Sequence, residues 1–238
     1  TFHFTAAEEY RQRVIQMGED PSRVFCVGAP GLDHLKRSQL LSREALEEKI
    51  GLPLRSPLFL VTYHPVTREK STSGAHTQAL LHALDAFPKA TIVITGANAD
   101  PDNAAIGELT VAYAHKHSDR MRHVVSLGSI NYLSLLQYAD VVIGNSSSGV
   151  IEVPAFQKAT VNIGDRQKGR LMAESVISCP DDVAAIQQAI TKALTPAFQK
   201  NLTQVQNPYG CGNASAQIKS TLKAATLDNV LKKEFHHI

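Results

Sequence analysis

Short apolar runs alternate with helical segments from Leu58 onward, and this repetition restricts the fold more than any other feature of the chain. Strand–helix repetition at this spacing is typical of parallel sheets, in which a helix connects each strand to the next. Helices cover both faces of such sheets, so their strands read as continuous apolar runs. We therefore predict an α/β fold built on a Rossmann-like, doubly wound parallel sheet.

The same patterns predict the individual elements. The predicted strands are residues 2–6, 24–27, 58–63, 90–95, 123–126, 141–144, 158–163 and 175–178. The predicted helices are residues 7–17, 32–41, 75–87, 103–117, 131–138, 182–194, 214–223 and 226–235, with a further one between Ser42 as its cap and Gly51 after its end.

The composition excludes several classes of partner. The net charge of +2 gives no basic excess for nucleic acid, and aromatic residues at 6% do not favour a base-stacking platform. The longest apolar runs are far shorter than a membrane span. Three widely spaced cysteines do not form a disulfide framework, which favours a reducing cytoplasm.

Residues 144–149, the serine turn, have the sequence Gly-Asn-Ser-Ser-Ser-Gly and follow the buried strand at 141–144. Free N–H groups and hydroxyls at the start of a helix form a favourable anion site. The serine turn is therefore predicted to hold a phosphate. The alternative is that one serine only caps the following helix.

A single acid, Glu152, stands among apolar residues after the serine turn. It lies five residues beyond Ser147 of the turn, or roughly 7.5 Å of helical rise. That separation suits a phosphate at the turn and a ribose whose hydroxyls donate to the carboxylate. The alternative is an acid that stabilises the helix N-terminus.

Other polar residues follow neighbouring predicted strands and should meet at the same edge of the sheet. These residues are His64, Asn98, Ser126 and Arg166. His64 is predicted to act as an acid, as a base or as a hydrogen-bond donor to a phosphate. The alternative is a histidine at a strand end whose hydrogen bonds are all made within the protein. Arg166 either contacts phosphate through its planar guanidinium or belongs to a solvated surface run.

Three other kinds of site have incomplete motifs. Gly144-x-Ser146-x-Ser148 lacks the last glycine of a nucleophile elbow, and only His236 and His237 follow it. A broken Gly-x-Gly-x-x-Gly at 210–215 follows no strand, and no Walker sequence occurs. The histidine pairs lack cysteine or acid partners at zinc spacing, so no metal site is predicted.

Six segments share the order and sequence of one known family. They are residues 3–11, 62–67 (Thr-Tyr-His-Pro-Val-Thr), 126–128, 144–153 (Gly-Asn-Ser-Ser-Ser-Gly-Val-Ile-Glu-Val), 164–170 (Gly-Asp-Arg-Gln-Lys-Gly-Arg) and 207–214. In these segments the chain resembles the hydrolysing UDP-N-acetylglucosamine 2-epimerases. The resemblance is to the branch that supplies N-acetylmannosamine, or its bacillosamine-derived analogue, for sialic-acid and legionaminic-acid sugars.

The resemblance implies a GT-B-like enzyme of two Rossmann-type domains, of which the C-terminal one binds UDP. It assigns the diphosphate to Ser146 and Ser147, the ribose to Glu152 and the uracil to the backbone of Leu127. His64, Asn98 and Arg166 would face the phosphates or line the cleft, with His64 the one candidate catalytic residue. The resemblance implies a UDP-sugar substrate, no cofactor, and a homodimer at full length.

In the family, elimination of UDP across C1–C2 gives a glycal, and water adds to yield the 2-epimer. The acids that move the C2 proton belong to an N-terminal domain, so this chain alone is expected to be inactive. The resemblance divides the chain into the end of that domain (1–30), linker helices (31–57), the UDP-binding domain (58–225) and a final helix (226–238). A GT-B glycosyltransferase, a non-catalytic UDP-binding module and a serine hydrolase remain the alternatives.

Overall fold

A computed structural model describes residues 1–65, 73–96, 103–226 and 234–236. Its strands are β1 (His3–Thr5), β2 (Val24–Cys26), β3 (Leu58–Thr62), β4 (Thr91–Thr95), β5 (Met121–Val124), β6 (Val141–Gly144), β7 (Ala159–Ile163) and β8 (Val176–Cys179). Its α-helices are α1 (Glu8–Gln16), α2 (Asp33–Arg37), α3 (Arg43–Ile50), α4 (Ser73–Leu84), α5 (Asn103–Lys116), α6 (Gly128–Tyr138), α7 (Ser148–Ile151), α8 (Val183–Leu194), α9 (Pro196–Asn201) and α10 (Ala214–Ala224).

The chain divides into two compact units, one of residues 39–206 and one of residues 1–38 with 207–238. The larger unit contains a six-stranded sheet in the order β5-β4-β3-β6-β7-β8, and all of its paired strands are parallel. The chain builds outward from β3 to β5 and then returns to place β6 on the other side of β3. This is the doubly wound order, and it confirms the predicted fold class.

Burial on both faces explains why the strands are continuously apolar. Every residue of β3, β6 and β7 is buried. Phe59 and Val61 of β3 join one hydrophobic cluster with residues of α4, α5 and α8. Leu58 and Leu60 point to the opposite face, where α6 packs, because successive strand residues alternate in direction.

The smaller unit pairs β1 with β2 in parallel, and α1 connects them. The carboxylate of Asp33 caps α10 within this unit, since it accepts the backbone N–H groups of Ala214 at 2.9 Å and Ser215 at 2.7 Å. Gly212 has φ +80°, and a Cβ there would lie 2.5 Å from the carbonyl oxygen of Leu32. Glycine is therefore required where these two parts of the chain meet.

Most predicted elements are confirmed within a few residues, and one strand is displaced. Strand β5 ends at Val124, whereas the prediction placed it at 123–126. The sheet sets this position, because Met121 pairs with Ile92 of β4 and leaves Val125 79% exposed beyond the last pair. Helix α9 was not predicted; Thr195 caps it by accepting the N–H of Phe198.

The predicted domain boundaries stay a prediction. Most of the last predicted segment, 226–238, lies outside the described residues. Of the helices that the structure describes, none combines the length and the apolar character that crossing a membrane requires.

Candidate functional site

Strands β3 and β6 come into very close contact at their carboxyl ends. Thr62 pairs with Gly144 in the parallel register. Gly144 has φ +134°, and a Cβ there would lie 1.9 Å from the carbonyl oxygen of Thr62. Only glycine allows this approach. It occurs where the strand order reverses, which is the position at which doubly wound sheets bind ligands.

Asn145, the next residue, joins these two strand ends through its side chain. Its Oδ1 accepts the backbone N–H of His64 at 2.7 Å, and its Nδ2 donates to the carbonyl oxygen of His64 at 2.8 Å. Its own N–H donates to Thr62 at 3.2 Å. Asn145 is only 1% exposed, so these bonds are well protected from water. They fix the backbone of His64 relative to the serine turn.

The loop after β7 adds two donors to the same residue. Arg166 Nη1 and Gln167 Nε2 donate to the carbonyl oxygen of Asn145, at 3.1 and 2.7 Å. Gln167 is 1% exposed, and its Oε1 has no hydrogen-bond partner among the described residues. The first of these bonds uses one of the five N–H groups of Arg166 and holds its guanidinium beside the serine turn.

The hydroxyls of the serine turn are not used as ordinary helix caps. Ser147 occupies the N-cap position of α7, but its side chain makes no capping hydrogen bond. Its carbonyl oxygen accepts the N–H groups of Val150 and Ile151 instead. The hydroxyl of Ser146 accepts the N–H of Ser148 at 3.4 Å, which is a long contact. The geometry thus weighs against reading Ser147 as a cap.

The carboxyl group of Glu152 lies at the end of α7 in a desolvated position. Its Oε2 has less than 1 Å² of exposed surface and no hydrogen-bond partner within the described part of the chain. Burial raises the pKa of Glu152, and a hydrogen bond with the side chain of Ser148 partly offsets that rise. A buried carboxylate oxygen without a partner is costly, and a hydroxyl donor from a ligand would remove the cost.

Tyr132 of α6 contacts the same group of residues. Its hydroxyl donates to Ser148 Oγ at 2.8 Å, and Ser148 in turn contacts Glu152. Burial is the main reason that the pKa of Tyr132 rises to about 12, and the charge of Glu152 adds to the rise. Tyr132 therefore stays a neutral hydrogen-bond donor at physiological pH.

A cleft of about 350 Å³ opens beside Tyr132. Its walls come from the ends of β4 and β5 and the start of α6, and they include Leu127, which is 9% exposed. The carbonyl oxygen of Leu127 accepts the Asn131 side chain at 2.8 Å. The other lining residues are Thr95, Gly96, Val125, Ser126, Gly128 and Ser129.

The predicted site residues thus fall into two neighbouring groups. His64 and Arg166 are connected by the hydrogen bonds of Asn145, and Ser146 and Ser147 directly follow Asn145 in the chain. Leu127 and Glu152 are connected by Tyr132, which lines the cleft and bonds to Ser148. Asn98 lies outside the described residues. No group of three or more His, Cys, Asp or Glu side chains that could hold a metal occurs among those described.

Sequence reasoning did not identify Asn145, Gln167 or Tyr132. Asn145 carried a signal, because an amide directly after a buried strand has backbone groups of the neighbouring strand within reach. Gln167 and Tyr132 carried none, since their partners lie 22 and 16 residues away along the chain.

Comparisons with known proteins identify a family for this chain. The family model described as UDP-N-acetylglucosamine 2-epimerase matches residues 1–223. A protein of Campylobacter jejuni named GDP/UDP-N,N'-diacetylbacillosamine 2-epimerase (hydrolyzing) is 38% identical over 98% of this chain and 60% of its own length. The polysialic acid biosynthesis protein P7 of Escherichia coli is 35% identical over 99% of this chain and 60% of its own length.

The fold is also found among solved structures. The UDP-N-acetylglucosamine 2-epimerase of Neisseria meningitidis, in a structure bound to UDP-N-acetylglucosamine, superimposes with a TM-score of 0.77. That match has 17% sequence identity and covers 94% of this chain and 62% of the solved one. The chain therefore spans about three fifths of the length of these relatives.

Proposed function

The chain belongs to the UDP-N-acetylglucosamine 2-epimerase family, and on that premise we propose that it is the UDP-binding portion of a hydrolysing UDP-sugar 2-epimerase. The parent would be a GT-B-like enzyme of two domains. The proposal assigns the diphosphate to Ser146, Ser147 and Arg166, with His64 and Asn98 beside it. It assigns the ribose to Glu152 and the uracil to the backbone of Leu127.

The observation that carries this proposal is the buried Oε2 of Glu152, which has no hydrogen-bond partner among the residues that the structure describes. A buried carboxylate oxygen is stabilised by a donor, and a ribose offers two hydroxyls to a single acid. The serine turn, which continues into α7, offers N–H groups and hydroxyls at a distance that suits a phosphate on the same nucleotide. Arg166 adds a positive charge next to that turn.

In the proposed reaction the C2–H and C1–O bonds of the sugar break, a C1=C2 bond forms, and UDP leaves. Water then adds to the glycal to give the 2-epimer. This chain would hold the leaving group, whereas the acids that move the C2 proton would belong to the remainder of the parent. We therefore expect no turnover by this chain alone.

The names of the relatives leave two UDP-sugars open, UDP-N-acetylglucosamine and UDP-N,N'-diacetylbacillosamine, and the Campylobacter jejuni name also includes the GDP form of the second. Both carry UDP, so the site described above does not distinguish them. The proposal includes a homodimer for the full-length parent and a cytoplasmic location.

Calorimetry of UDP binding tests the proposed site. Glu152→Ala and Ser147→Ala should each weaken UDP binding, Glu152→Ala by about 10- to 100-fold, which equals the loss of a hydrogen bond to a charged group. Glu108→Ala, which removes an exposed acid of α5, serves as the control and should bind UDP like wild type.

Two results would refute the assignment. One is that wild type binds UDP and that Glu152→Ala and Ser147→Ala bind it equally well. The other is that neither this chain nor the full-length parent binds UDP at all.

A further inference from the structure

We propose that Tyr132 is a positioning residue for the ribose-binding carboxylate and acts through Ser148. The three side chains form the Tyr132–Ser148–Glu152 relay, in which a phenol donates to a serine hydroxyl and that hydroxyl donates to the carboxylate. This inference rests on the proposed function, because it assigns the second partner of the carboxylate to the ribose.

The contacts fix the direction of the relay. Tyr132 donates to Ser148 Oγ at 2.8 Å. The backbone N–H of Glu152 donates to the carbonyl oxygen of Ser148 at 2.9 Å, and this helical spacing of four residues places the two side chains on the same face. The Ser148 side chain favours the charged form of Glu152, as a hydroxyl that donates to the carboxylate does. A serine hydroxyl has one proton to donate. Because Tyr132 occupies the serine oxygen as an acceptor, the serine proton is directed to Glu152. That arrangement favours the carboxylate over the neutral acid, and chained hydrogen bonds strengthen each other.

The relay leaves one carboxylate oxygen for the ligand. Ser148 contacts the acid from within the protein, while Glu152 Oε2 has no partner among the described residues. A carboxylate held by one fixed donor loses rotational freedom before the ligand arrives. Its remaining oxygen is then already oriented for a ribose hydroxyl, which lowers the cost of binding.

The position of Tyr132 also argues for a role beyond packing. The tyrosine lines the cleft that contains Leu127 and also donates to Ser148, so one side chain contacts both the predicted base cleft and the serine beside the predicted ribose acid. Phenylalanine would fill the same space without a hydroxyl that needs a partner. The phenol hydroxyl therefore has a role in the hydrogen bond that it donates to Ser148.

Removal of the phenol hydroxyl has two expected effects. In Tyr132→Phe the serine oxygen is free to accept a proton from neutral Glu152, so the pKa of Glu152 should rise above its wild-type value. The carboxylate should also lose its fixed orientation and bind a ribose less tightly.

Tyr138→Phe is a matched control for these effects. Tyr138 lies on the same helix, and its hydroxyl also donates one hydrogen bond, to the carbonyl oxygen of Leu41 at 3.2 Å. Loss of that bond should cost stability without reaching Glu152. Any effect shared by both variants would come from α6 as a whole.

The first experiment needs no nucleotide. The titration of the Glu152 carboxyl is followed by carbon-13 NMR in this chain, and its signal is assigned by its absence in Glu152→Gln. The midpoint should move upward in Tyr132→Phe and further upward in Ser148→Ala, and it should not move in Tyr138→Phe. Equal midpoints in all of these proteins would overturn the relay, whether or not the chain binds UDP.

The second experiment measures binding of UDP and of 2′-deoxy-UDP by calorimetry. Tyr132→Phe should weaken UDP binding about fivefold, the equivalent of one ordinary hydrogen bond, and should weaken 2′-deoxy-UDP binding less. An equal loss for both nucleotides would overturn the positioning role, because it would show an effect on the cleft only. If neither this chain nor the full-length parent binds either nucleotide, the proposed function fails, and the NMR titration alone decides the relay.

Discussion

Gly144→Ala tests the close contact between β3 and β6, on which the candidate site depends. The new Cβ would lie 1.9 Å from the carbonyl oxygen of Thr62, and real Cβ contacts are essentially never shorter than 3.0 Å. The two strand ends would therefore have to separate by about 1.1 Å. The backbone at φ +134° adds strain, because a side chain rarely adopts that conformation.

The separation removes the hydrogen bonds that cross this gap. The bonds from Asn145 to His64 are 2.7 and 2.8 Å long, and the bond to Thr62 is 3.2 Å, so all three would exceed hydrogen-bond distance. With about 1 kcal/mol for each bond and about 1 kcal/mol of backbone strain, the substitution should lower the free energy of unfolding by about 4 kcal/mol. That is a large share of the roughly 5–15 kcal/mol available to a typical domain.

Urea unfolding followed by far-ultraviolet circular dichroism measures this effect. The midpoint should fall by about 2 M at an m-value near 2 kcal/mol per molar. Gly107→Ala is the control: Gly107 lies in α5 without positive φ, and a Cβ there meets nothing within 4 Å. It should gain about 0.5–1 kcal/mol. A Gly144→Ala midpoint within experimental error of wild type would refute the reasoning.

Two further predictions concern pH. Because burial raises the pKa of Glu152, the folded chain keeps that proton to higher pH than the unfolded chain, and wild type should lose stability relative to Glu152→Gln as the pH rises through the raised value. Urea midpoints of both proteins across pH check this, and a pH-independent difference would contradict it. Hydrogen bonds from Ser215 and Ala214 hold the pKa of Asp33 below its usual range, so the stabilisation is present above the ordinary aspartate pKa and is lost as the pH falls through the lowered value. Asp33→Asn should therefore reduce the loss of stability as the pH falls, as measured by thermal melting. If the melting temperature of the variant falls at low pH as much as that of wild type, the role of Asp33 as the cap of α10 is contradicted.

Local patterns were sufficient for the parts of the fold that local physics decides. The helix between Ser42 and Gly51 was predicted from its cap and its end, and both are confirmed: Ser42 accepts the N–H of Ala45, and Gly51 has φ +69°. The apolar runs predicted the parallel sheet because burial on both faces makes the inner strands β3, β6 and β7 largely apolar. The serine turn and Glu152 were found because they interrupt that apolar pattern.

The contacts that organise the site could not be read in the same way. Asn145 and His64 are 81 residues apart, and only the return of the chain from β5 to β6 brings them together. The end of β5 was placed too late because its register depends on β4 and not on its own residues. Tyr132 has the spacing of an ordinary helix residue, and its role depends on which strand lies beneath α6.

The division of the chain into two units determines which segments of the gene can be exchanged or truncated without breaking a unit. The larger unit, residues 39–206, is one uninterrupted segment, and it contains every residue assigned to the nucleotide. It could therefore be moved as a single cassette between related genes. The smaller unit is assembled from both ends of the chain. A stop codon at position 207 would leave the Asp33 carboxylate without the N–H groups of Ala214 and Ser215. Truncation of the carboxyl end would therefore destabilise the part of the chain near the amino end.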